Sequence, residues 1–92
     1  MKFIYPAVIS PKDGGGFIAR FPDLVMCEAE GETLDEAIER ANEAANDWIS
    51  LELSEDEPAL PPVTDLEDLI LAPGETARNI SINIRFYDGW DE

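Results

Sequence analysis

The sequence predicts an α+β fold: a small, mostly antiparallel sheet, made of a three-strand meander plus a C-terminal strand, packed by one long helix. Three observations carry this expectation. Short β-rich runs broken by Pro and Gly occupy residues 2–30, an apolar stripe of helical period occupies residues 34–49, and residues 79–86 alternate polar and apolar without error. At 92 residues the chain is long enough for one core and too short for two, so one domain spanning 1–92 is expected.

Lys2 to Ser10 is the first strand. Phe3, Tyr5, Ala7 and Ile9 alternate with Lys2, Ile4, Pro6 and Val8, which makes both faces apolar. Pro6 has no N–H, and this places the strand at an edge, at a bulge, or with that position turned away from a neighbour. Pro11-Lys12-Asp13-Gly14-Gly15-Gly16 combines a fixed φ with residues that tolerate positive φ, the chemistry of a hairpin turn. A phosphate-cradling glycine loop would open a helix, whereas here Phe17-Ile18-Ala19-Arg20-Phe21 follows as a second strand. After Pro22-Asp23, Leu24 to Glu30 forms the third strand, with Val25, Cys27 and Ala29 on one face. Cys27 has no Lys, Arg or His beside it to stabilise a thiolate, so it reads as a small core side chain.

The helix opens at Gly31-Glu32-Thr33-Leu34-Asp35-Glu36. Thr33 is the N-cap, Glu36 three residues on completes a capping box, and Asp35 and Glu36 complement the helix dipole. Leu34, Ala37, Ile38, Ala41, Ala45, Trp48 and Ile49 form the buried stripe. Opposite it lie Asp35, Glu39, Glu43, Asp47 and the asparagines, with Arg40 as the cation among them. That face is either solvated or a docking surface for a basic partner. Ser54-Glu55-Asp56-Glu57-Pro58 ends the helix, and Pro58, Pro61 and Pro62 hold the next passage extended. Thr64-Asp65-Leu66-Glu67 repeats the capping-box pattern and starts one or two helical turns, stopped before Pro73-Gly74. Asn79 to Phe86 closes the sheet, buried on its Ile face and wet on its Asn/Ser/Arg face.

Charge and composition narrow the function. Six basic against 21 acidic residues give a net charge of −15, a field that repels phosphate backbones and speeds encounter with basic proteins. Direct nucleic-acid binding is therefore not expected. A hydrophobic content of 45% is too high for a disordered acidic tail. The absence of His and the single Cys remove thiolate or imidazole metal cages, intrachain disulfides and His-based catalytic dyads, so no cofactor or metal is expected. Two-metal phosphodiester hydrolysis needs converging carboxylates, yet neither Met1 to Ser10 nor Asn79 to Tyr87 contains an Asp or Glu. The chain thus reads as a binding protein and not as an enzyme. No apolar run has the length of a signal-peptide core or a membrane span, which gives the expectation of a cytoplasmic protein with no membrane partner.

The segments Tyr5-Pro6-Ala7-Val8, Asp13-Gly14-Gly15-Gly16-Phe17, Phe21-Pro22-Asp23-Leu24 and Gly31-Glu32-Thr33-Leu34-Asp35-Glu36-Ala37 occur in that order, followed by Ala41, Ala44, Trp48 and a Pro-Pro pair. Together they resemble the HicB-like antitoxin family over the first two-thirds of the chain. The resemblance implies a degenerate ribonuclease H-like fold. It also implies an antitoxin that neutralises a small basic HicA-like toxin, which cleaves messenger RNA. Val25-Met26 stand where the family usually has Pro-Gly. Longer members continue into a helix-turn-helix or ribbon-helix-helix domain that binds their operator; none is expected here, and with it no direct DNA contact.

For partner binding the expected residues are Glu28 and Glu30 on the third strand and Asp35, Glu39, Glu43 and Asp47 on the helix, which steer the encounter. Phe86, Tyr87 and Trp90 are the candidate apolar anchors, the alternative being that they cap the domain's own core. Pro6 and the wet face of the last strand lead to the expectation of a homodimer through strand pairing or sheet packing. A different class of function is an orphan HicB-like domain that serves as an adaptor or ligand sensor without a toxin.

Overall fold

The protein's fold, seen in a computed structural model that describes residues 2–84, begins with strands β1 (Lys2–Pro11), β2 (Phe17–Arg20) and β3 (Glu28–Gly31). Helix α1 (Leu34–Leu53) follows, then a 3-10 turn at Leu66–Asp68 and strand β4 (Thr76–Asn83). The strands form one sheet in the order β3-β2-β1-β4, every neighbouring pair antiparallel. The α+β class and the meander with a returning C-terminal strand are as the sequence predicts. β4 pairs along β1 from Lys2↔Asn83 to Ile9↔Thr76, which places the last described strand beside the first.

Cross-strand partners share a face of the sheet, so the ladder tells which side chains meet. Tyr5 is opposite Ile80, Phe3 opposite Ile82, Ile9 opposite Ala19 and Ala19 opposite Ala29. This is the face that α1 covers with Ala37, Ala41, Ala45 and Ile49, all fully buried. Three alanines at a spacing of four let the helix backbone lie close to the strands. Thr33 Oγ1 accepts the Glu36 amide at 3.1 Å, and the Glu36 carboxylate returns to the amide of Glu32 at 2.6 Å. Ser54 closes the other end by donating its hydroxyl to the Leu51 carbonyl at 2.6 Å.

One of the alternatives for Pro6 is excluded, and three other expectations need correction. Pro6 does not lie on an outer strand, because β1 runs between β2 and β4. The β2 ladder reaches β1 only from Val8 to Pro11, however, so Pro6 is flanked by a strand on one side and the position without an N–H has an open side available. The third strand does not begin at Leu24. Residues 22–26 are turns and a bend instead, held by the Phe21 amide to the Cys27 carbonyl at 3.1 Å and the Cys27 amide to the Leu24 carbonyl at 3.0 Å. Phe21, Leu24 and Cys27 are buried at a spacing of three, so chain reversal replaces strand alternation, and exposed Val25 shares no face with Cys27.

The asparagines do not belong to the solvated helix face. Asn42 and Asn46 donate to the carbonyls of Ser81 and Asn83, each at 2.8 Å. A helical step of four residues rises about 6 Å and a strand step of two about 7 Å, so this pair rivets α1 to β4 in register. Lastly, Thr64 is not a helix cap. Its amide and hydroxyl both donate to the Asp23 carboxylate, at 2.8 and 2.6 Å, and the residues after it form a single 3-10 turn with no side-chain cap bond.

The passage from 54 to 75 is fastened to the sheet by such side-chain ties. The Tyr5 hydroxyl donates to the Pro61 carbonyl at 2.6 Å. Glu75 accepts from the Ala72 amide and the Ser10 hydroxyl, both at 2.8 Å, and from Arg20 at 3.2 Å. The Ala72 amide, then Ser10 and Arg20, hold the Glu75 carboxyl below its ordinary range. A carboxyl whose pKa is lower in the folded chain contributes stability at neutral pH and loses it as pH falls through and below the ordinary carboxylate range. Glu75→Gln should therefore lose less stability than the unaltered protein between roughly pH 6 and pH 3. Urea midpoints at the two pH values measure this, and equal losses in the two proteins would remove Glu75 from the acid response.

Candidate docking surface

Leu24 and Cys27 turn inward and leave Val25 and Met26 at the tip of the β2–β3 connection, 72% and 92% exposed. Met26 has φ = 62°, the left-handed region, at the third position of the turn closed by the Cys27 amide. Glycine is the relaxed residue for such a position, and a side chain there costs about 1 kcal/mol. The tip is ordered from the helix side: the Trp48 indole N–H donates to the Val25 carbonyl at 3.0 Å. Leu51, one turn further along α1, is 69% exposed. Met26, Trp48 and Leu51, with Ala44 and Cys27, line a shallow apolar depression beside Val25, and its rim carries Glu28 and Asp47.

The expected steering residues divide between two ends of the molecule. Glu28 and Asp47 converge near Cys27; burial first, then Asp47 and Glu28, push its thiol up to about 11. Cys27 is thus a protonated core thiol at neutral pH, as its sequence neighbours imply. Glu39, Glu43 and Asp47 follow at steps of four along one exposed line of α1. Glu30, in contrast, is ion-paired with Lys12, and its carbonyl accepts from Arg40 at 3.3 Å. Arg40 also pairs with Glu36 at 3.3 Å, and Asp35 sits in the same first turn of α1. That end of the helix carries the two ion pairs Lys12–Glu30 and Arg40–Glu36, and Glu30 and Asp35 do not join the depression. Phe86, Tyr87 and Trp90 lie outside the described residues.

Sequence reasoning missed the apolar part of this surface. Val25 reads as sharing a strand face with Cys27, Met26 and Leu51 belong to no periodic stripe, and the one available signal was Met26 at a place where the family pattern has Gly. A second feature is electrostatic. The last turn of α1 holds no cation, and Glu52, Glu55, Asp56 and Glu57 cluster at the negative end of the helix dipole. Among the described residues no group of three or more His, Cys, Asp or Glu could hold a metal ion, and no helix is long and apolar enough to cross a membrane.

Residues 5–85 match the family described as the HicB_like antitoxin of bacterial toxin-antitoxin system. Over 45 residues the chain is 44% identical to the UPF0150 protein ssl0259 of Synechocystis sp.. That match covers 49% of this chain and 62% of the relative, less than two thirds of its length. Among solved structures, the N-terminal domain of antitoxin HicB from Burkholderia pseudomallei is similar with a TM-score of 0.72 and 25% identity, over 89% of this chain and 100% of that one. A chain of the HicA3 and HicB3 toxin-antitoxin complex gives 0.65 and 29%, over 90% of this chain and 99% of that one. A chain of a toxin-antitoxin complex from Streptococcus pneumoniae gives 0.76 over 100% of this chain and 79% of that one; at 19% identity it is a likeness of fold alone.

Proposed function

Because the chain belongs to the HicB-like antitoxin family of bacterial toxin-antitoxin systems, we propose that it is an antitoxin, a cytoplasmic binding module without catalytic activity that masks a small basic toxin of the HicA type. The observation that carries this reading beyond the family is the charge: −15 on 92 residues favours a cationic protein partner and opposes direct contact with nucleic acid. Kinship with the HicA3 and HicB3 complex supports a toxin as the kind of partner. The chain acts as one domain, residues 1–92. Glu28, Glu39, Glu43 and Asp47 steer the approach, while Glu30, already paired with Lys12, and Asp35, in the first turn of α1 away from the depression, contribute less. The homodimer expected from Pro6 and the wet face of the last strand would use β4, the outer strand of eight residues beside β1.

Co-expression with the product of the adjacent reading frame tests the proposal. The expected result is a complex that co-purifies, loosens with salt and restores growth to cells making the partner. A neighbour that is not basic, or one that forms no complex, sinks the antitoxin reading and favours the orphan adaptor.

A further inference from the structure

We infer that the strained tip Val25-Met26, together with Leu51, is the apolar centre of the surface on which the basic toxin docks, with Glu28 and Asp47 receiving its cationic groups. This rests on the antitoxin reading and assigns it a place. The three apolar side chains are exposed and add little to the domain's own core. Met26 holds a left-handed conformation that glycine would adopt without strain, so its side chain is retained at a cost the fold does not recover. A thioether on a mobile stem is suited to filling an irregular partner surface.

The tip is also prepared for binding. The Trp48 indole bond to the Val25 carbonyl fixes it against α1, which lowers the ordering cost of association. Charge selects the occupant. Glu28 and Asp47 rim the depression, and the carboxylates of residues 52–57 crowd the negative end of α1 with no cation in its last turn. A cationic partner relieves that repulsion, whereas a second copy of this chain would bring another −15 to it.

The test is calorimetric titration with the purified product of the adjacent reading frame, using Met26→Gly, Leu51→Ser and, as a control away from the depression, Ile70→Ser. Met26→Gly should raise the thermal midpoint by a few degrees yet weaken binding tenfold or more, a combination that a purely structural role does not produce. Leu51→Ser should weaken binding similarly, and Ile70→Ser should leave it unchanged. If both tip variants bind as the unaltered protein does, the docking site is wrong while the antitoxin reading stands. If they instead turn a dimer into a monomer in light scattering with toxin affinity intact, a second copy covers the tip and the inference is overturned. If the unaltered protein binds nothing, the antitoxin reading itself fails.

Discussion

Gly31→Ala is expected to lower the thermal midpoint by about 12–24 °C, the loss that corresponds to roughly 3 kcal/mol in a domain of this size. A Cβ at Gly31 would lie 2.4 Å from the Ala37 nitrogen, 2.7 Å from the Glu36 carbonyl carbon and 2.8 Å from the Ala37 Cα. All three atoms are backbone of the first turn of α1, and no rotamer change can move them. Gly31 ends β3 opposite Phe17, and the helix begins at Leu34, so the chain doubles back over its own strand with nothing between. Relief requires lifting α1, which would open the packing of Ala37, Ala41 and Ala45 on the sheet. Total stability for a domain of this length is of the order of 5–14 kcal/mol, so the change removes a large share of it. Gly14→Ala is the internal comparison: Gly14 has φ = 87° and open space around it, so only the local strain of about 1 kcal/mol applies. A midpoint shift at Gly31 no larger than that at Gly14 would refute the close approach of helix and strand.

What the sequence made legible was local. The Thr33 cap, the alanine stripe and the Gly14-Gly15-Gly16 turn depend on residues within a few positions of one another, and each is found where its spacing places it. The misreadings share a cause in distant partners. Asn42 and Asn46 look like solvated helix residues until Ser81 and Asn83, nearly forty positions on, supply their acceptors. Thr64 opens a plausible capping box, yet Asp23, 41 positions earlier, takes both of its donors. Pro6 left an edge, a bulge and a position turned away from a neighbour open, because nothing local told that β4 would pair along β1. The third strand was overextended because Leu24-Val25-Met26-Cys27 has strand composition, while burial of Phe21, Leu24 and Cys27 needs a reversal of the chain. At the candidate site the carboxylates Glu28 and Asp47 were legible from charge. The apolar tip was not, since exposed hydrophobic residues follow no period and gain meaning only from their neighbours in space.

Replacing Glu28 by Gln together with Asp47 by Asn is expected to slow association with the proposed toxin about tenfold while changing dissociation less than threefold, by order-of-magnitude steering arguments. The two substitutions take the net charge from −15 to −13, so most of the long-range field survives. They act instead at the rim of the depression, where a cationic group would arrive. At about 0.15 M salt the Debye length is about 8 Å, and distant carboxylates are screened while those at the point of contact are less so. For the unaltered protein the association rate should fall tenfold or more between roughly 0.01 and 0.15 M salt, and the double variant should fall less steeply. The apolar tip is expected to act on the other constant: Met26 and Leu51 are exposed in the free chain, and side chains that leave water only in the bound state would set how long the proposed complex lasts. Stopped-flow association and dissociation at several salt concentrations separate the two contributions. Should Glu28→Gln with Asp47→Asn leave association unchanged and accelerate dissociation, the carboxylates would be desolvated ion-pair partners within the interface and not steering groups at its rim.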